Sequence, residues 1–216
     1  MDTILVDLVR YGHLLSVAVG LGAAAMADYT AMTGLRRRVS PEFLTILKTA
    51  HNMIWPALIA MWITGLALIG IRTGFDLSAF SPKLFAKLTV VTLLTANAHA
   101  IGKLAMPLMA QNTGLGALSQ AELRACAVMG GVSSASWLLA LAMGSSKVLA
   151  AAPAGVFLLL VPIAYGAAIF VSFRTLAWMR GPKAAAPIRP IDRRKAGDLQ
   201  VTSYKIGLFP RRTARS

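Results

Sequence analysis

The chain has 216 residues, of which 56% are hydrophobic and only 14% charged, and a mean hydropathy of +0.65. A soluble domain carries about 25% charged residues, so composition excludes an ordinary soluble globular protein. The net charge of +14 is concentrated at one end: residues 180–216 hold ten Lys/Arg against two Asp/Glu, which reads as a basic tail beside a membrane and not as a nucleic-acid surface.

Five apolar segments follow in chain order, at about 6–31, 52–71, 84–108, 124–145 and 154–176. Each crosses a hydrocarbon core of about 30 Å at 1.5 Å per helical residue. The expected architecture is therefore all-α, a bundle of five transmembrane helices over residues 1–179, followed by a flexible tail over 180–216. The start, "MDTILVDLVRYGH", lacks a basic leader region, so its apolar run is expected to remain as a helix. The first connection, "GLRRRVSPEFLTILK", carries Arg36, Arg37, Arg38 and Lys48, whereas the second and fourth, "RTGFDLSAFSPK" and "GSSKVLAAAP", are poorer in positive charge. The positive-inside rule then puts the amino terminus outside and the carboxyl terminus in the cytoplasm of a bacterial-type inner membrane.

Small residues recur four apart at Ser16, Gly20 and Ala24, and again at Ala127, Gly131 and Ala135. Such stripes let helix backbones approach closely where lipid supplies no hydrophobic drive. Pro56 is expected in the first turn of the second helix and Pro162 at a kink in the fifth. The tail "RGPKAAAPIRPIDRRKAGDLQVTSYKIGLFPRRTARS" is expected to lie against anionic lipid headgroups. Its piece "LQVTSYKIGLF" is a candidate docking strand for a partner protein. Cys126 is the only cysteine, so no disulfide or thiolate cluster is expected.

The ionisable residues inside the spans carry the functional question, since each costs roughly 2.5–3.5 kcal/mol at the centre of a membrane helix. His13 and Lys87 lie at similar distances from the outer surface on the first and third helices, and are expected to share an outer pocket. His99 is deeper, with two readings: a second ligand facing His13, or a packing residue. Lys103 is expected to pair with Asp28 or to snorkel, and His51 to sit at the interface. Two histidines facing across a bundle can hold one b-type haem.

The stretches "RYGHLLSVAVGLG", "MIWPALIAMWITGLALI" and "FAKLTVVTLL" resemble the first three helices of HemJ-type protoporphyrinogen IX oxidases and of the related CopD-like bundles. The resemblance covers about residues 8–145. It implies a small haem-b bundle with His13 as axial ligand and Lys87 beside the substrate or a haem propionate. It also implies dehydrogenation of protoporphyrinogen IX, with electrons passed to a quinone or another respiratory component. The fifth helix and basic tail depart from the compact oxidase. They favour a second reading, a non-enzymatic membrane subunit or anchor within a larger complex or oligomer.

Overall fold

The computed structural model describes residues 3–35, 41–111 and 118–179. The triple arginine at 36–38 and the tail from residue 180 onward, including the candidate docking strand, lie outside them. Among the described residues every long element is a helix. Five are long and apolar enough to cross a membrane: α1 (Thr3–Leu35), α2 (Pro41–Thr73), α3 (Pro82–Ala110), α4 (Gln120–Ser145) and α5 (Ala154–Met179). The molecule has the architecture of a multi-pass membrane bundle.

The helix ends follow local chemistry. Pro41 and Pro82 stand at the starts of α2 and α3, where a missing N–H costs nothing. The Ser81 hydroxyl caps α3 through Leu84 N–H. Ser119 and Glu122 form a capping box at the start of α4. Between α2 and α3, Gly74 and Phe75 both take positive φ, +59° and +63°. Such a conformation costs a non-glycine residue roughly 1–2 kcal/mol. The Phe75 ring rests on Gly70, where a Cβ would come within 2.7 Å of it.

Three elements differ from the sequence reading. First, α2 starts eleven residues before the expected 52. The stretch "PEFLTILK" is helical and not part of a loop, because Leu47 and Ala50 are buried and the Phe43 ring packs into the space that Gly34 leaves open. Pro56 therefore lies inside α2 and not in its first turn. Second, α1 is likewise longer than predicted; 33 residues span about 50 Å, well over the hydrocarbon thickness. Third, α3 is interrupted by a π-helical turn at Ile101–Ala105. Pro107 follows it, has no N–H to offer the Lys103 carbonyl, and crowds that carbonyl with its ring. The helix widens there instead of breaking.

The bundle is mainly apolar inside, around Leu58, Leu94 and Trp137, and apolar outside as well. Large hydrophobics such as Leu8, Ile63, Leu158 and Phe170 are exposed on its surface, as a lipid solvent allows. Helix α1 packs along α2, α4 along α5, and α4 also meets α1 and α3. Half of the α4 span is buried against 6% of α5, so α4 is the central helix. Both small-residue stripes face neighbours: Gly20 lies under the Trp137 ring, and a Cβ on Gly131 would stand 2.7 Å from the Ile169 backbone. Single hydrogen bonds join helix pairs: Asn97 Nδ2 donates to Met129 O (2.9 Å), Trp62 Nε1 to Thr95 Oγ1 (3.0 Å), and Ser136 and Tyr165 share one at 2.8 Å. The backbones of α2 and the first part of α3 stay apart, and the two helices meet through side chains such as Trp62 on Thr95 and Trp55 on His99.

Candidate functional site

The gap between α2 and α3 is a cavity of about 570 Å³, inside the roughly 300–1,000 Å³ range of small-molecule sites. Most of its wall is apolar, from residues such as Val17, Met61, Leu66, Leu88 and Val91. His13 on α1 and Lys87 on α3 both line it. Arg72, at the last turn of α2, and Lys83, one turn before Lys87, line it too. No carboxylate is among its lining residues.

His13 is held in one orientation. Its Nδ1 lies 3.0 Å from Thr64 Oγ1, and the Thr64 hydroxyl donates its own proton to Ala60 O at 2.6 Å. Thr64 can then only accept, so Nδ1 carries the ring proton and Nε2 is left with its lone pair. Gly65 makes room for the ring: a Cβ there would stand 3.3 Å from His13 Cε1. Such a neutral imidazole, fixed through its other nitrogen, is the form in which histidine ligates a metal.

The cations are unevenly satisfied. Lys83 Nζ donates to Ser146 O at 3.1 Å, tying α3 to the end of α4. Lys87 and Arg72 make no hydrogen bond or ion pair among the described residues. Three cations at one end of an apolar cavity, with no acid to neutralise them, suit a ligand with an apolar body and more than one anionic group.

His99 lies elsewhere. Its side chain is exposed and sits edge-on to Trp55, ring centroids 6.4 Å apart, and it does not line the cavity that holds His13. The structure brings His13 and Lys87 together and leaves His99 apart. Lys103 is exposed and forms no ion pair with Asp28; Asp28 accepts instead from Ser134 Oγ at 3.1 Å. His51 is 8% exposed and stands ten residues into α2, which begins at Pro41. Sequence reasoning missed Arg72 and Lys83. The signal for Lys83 was present, four residues before Lys87 and so on the same helical face. Arg72 had been assigned to a loop.

Among the described residues no three His, Cys, Asp or Glu side chains converge as a metal-chelating group. A haem needs less from the protein: one imidazole nitrogen, a dry slot, and cations for its two carboxylates. His13, apolar walls and the trio Arg72, Lys83 and Lys87 line one cavity, which holds one histidine. Compared with known proteins, the chain matches no family model, no curated protein and no solved structure.

Proposed function

We propose that the chain is a haem-b-binding redox protein of the membrane, acting on a tetrapyrrole as the protoporphyrinogen IX oxidases do that its first three helices resemble. The observation that carries this reading is the cavity in which His13, anchored by Thr64, is walled with apolar side chains and rimmed by Arg72, Lys83 and Lys87. His13 would hold the haem iron through Nε2. Lys87, with Arg72 and Lys83, holds the carboxylates of the haem or of the porphyrinogen substrate. The haem, when bound, supplies one-electron redox chemistry. The protein's own residues orient the imidazole, fix the anionic edge of the macrocycle and keep water from its apolar body.

The reading extends to topology. By the positive-inside rule, the arginines at 36–38 favour a cytoplasmic side for the end of the bundle where α1 meets α2. The His13 cavity then lies toward the outer face of a bacterial-type inner membrane.

The test is a visible spectrum of detergent-purified protein, oxidised and then dithionite-reduced. Wild type and His99→Ala are expected to show a b-type spectrum that His13→Ala lacks. A colourless wild type, or a spectrum that survives His13→Ala, overturns the reading.

A further inference from the structure

At the opposite end of the bundle a second cavity, of about 320 Å³, is lined by all five helices. Three ionisable side chains line it, Asp28 from α1, His51 from α2 and Cys126 from α4. Among the described residues no Lys or Arg lines it, and no ion pair reaches Asp28. The Asp28 carboxylate has one partner among the described residues, the Ser134 hydroxyl, which is shared with Gly130 O at 3.0 Å. His51 makes no hydrogen bond among them. Its ring lies against the π-helical turn of α3 at Gly102, where a Cβ would stand 3.0 Å from Nε2. Ionisable groups without counter-charges inside a membrane bundle are costly, and are retained at ligand or proton sites.

Access to this cavity is lateral. Met32 on α1 and Val171 on α5 both line it, yet they are 40% and 60% exposed on the outside of the bundle. Helices α1 and α5 are not among the closely packed pairs. The opening between them faces the region a bilayer would fill, so a ligand enters from lipid. Five methionines, Met32, Met106, Met109, Met129 and Met179, form much of the wall, and thioether chains adapt their shape to flat apolar guests. A ligand dissolved in hydrocarbon is uncharged, and here it meets one group that donates and accepts (His51) and one that accepts strongly (Asp28).

We propose that this cavity binds the head ring of a membrane quinone or quinol. One ring oxygen is bonded to His51, the other to the Asp28–Ser134 pair, and the isoprenoid chain leaves between α1 and α5. The site is separate from the His13 cavity, with the buried cluster of Leu58, Leu94 and Trp137 in the middle of the bundle. The proposal deepens the redox reading by naming its membrane electron carrier and rests on it for that role, but the binding itself does not.

The test uses decylubiquinone with the detergent-purified full chain, by equilibrium dialysis. It is paired with the rate at which N-ethylmaleimide modifies Cys126, the chain's single cysteine, which lines this cavity. Decylubiquinone is fully substituted on its ring and does not itself add to a thiol. About one molecule is expected per chain, with Cys126 modified at least tenfold more slowly when it is bound. Asp28→Leu and His51→Leu are each expected to weaken binding tenfold or more. The gentler Ser134→Ala, with helical content checked by circular dichroism, should weaken it about threefold. His13→Ala should bind as wild type does, whatever its spectrum, so the two proposals fail separately. The quinone site is overturned by absence of saturable binding, by binding that leaves Cys126 unprotected, or by affinity unchanged in both leucine variants. Equal protection by decylbenzene would reduce the cavity to an apolar slot, and protection by dodecylamine alone would make it a cation site.

Discussion

The two cavities are built alike and charged oppositely. Each centres on a histidine seated against a glycine of a neighbouring helix: His13 on Gly65, and His51 on Gly102. Among the described residues the first is rimmed by Arg72, Lys83 and Lys87 with no acid, the second by Asp28 with no Lys or Arg. An intramembrane charge is tolerated where a ligand or a cavity can repay its desolvation. The pattern of lining charge therefore separates a site for anions from a site for neutral hydrogen-bonding guests. One bundle can hold both because the central cluster around Trp137 stands between them.

The largest effect that breaks this contrast is charge reversal. Lys87→Glu puts an acid into the cationic cavity and is expected to weaken a dicarboxylate porphyrin about 30-fold or more, near 2 kcal/mol. Porphyrin titration by absorbance checks this, and the decylubiquinone affinity serves as the unchanged control. Next come the two glycines. Gly65→Val drives a methyl-bearing Cβ against His13 and is expected to cost about 1–3 kcal/mol and to abolish the b-type spectrum. Gly102→Val does the same beside His51, removing quinone protection of Cys126 while the spectrum persists. If either substitution impaired both readouts equally, the cavities would not be independent.

A smaller effect is expected from the single hydrogen bonds. Thr64→Val removes the acceptor that orients His13, at about 0.6 kcal/mol and not above about 1.7 in thermal stability. It should also broaden or shift the haem spectrum, which a purely structural bond would not do. The smallest lies outside the spans, in the α2–α3 turn. The Ser78 hydroxyl and amide both donate to the Asp76 carboxylate, at 2.8 Å each, and hold its pKa below the usual carboxylate value. A depressed folded-state pKa contributes stability that is present above the ordinary value and is lost as pH falls through the folded one. The turn should therefore loosen only in acid, below the normal range for aspartate. The Ser78 amide shift, followed by NMR against pH, checks this, and Asp76→Asn should remove the dependence.

The number of long helices was legible because lipid demands about 20 consecutive apolar residues, and five such runs stand in the chain. The later boundaries were close: 124–145 against Gln120–Ser145, and 154–176 against Ala154–Met179. The start of α2 was not, because an amphipathic stretch with Glu42 and Lys48 resembles a loop until Leu47 and Ala50 find something to bury against. That error placed Pro56 in a first turn. Of the site, the common level of His13 and Lys87 was readable from residue counts along two parallel helices. Arg72 was hidden by the same boundary problem at the other end of α2.

What the amino-acid order determined by itself is one-dimensional: which runs cross a membrane, which side carries the positive loops, and how deep along its helix each ionisable residue lies. Tertiary structure decided the rotation of each helix about its axis. That rotation turns His99 outward against Trp55 and His13 inward onto Thr64, and gives Asp28 a serine in place of Lys103. Depth follows from a rise of 1.5 Å per residue. Facing depends on which small residues let which backbones meet, as Gly20 does beneath Trp137 and Gly131 against α5. In a lipid solvent an apolar side chain has no preferred side, so only helix–helix contact settles which residues look inward.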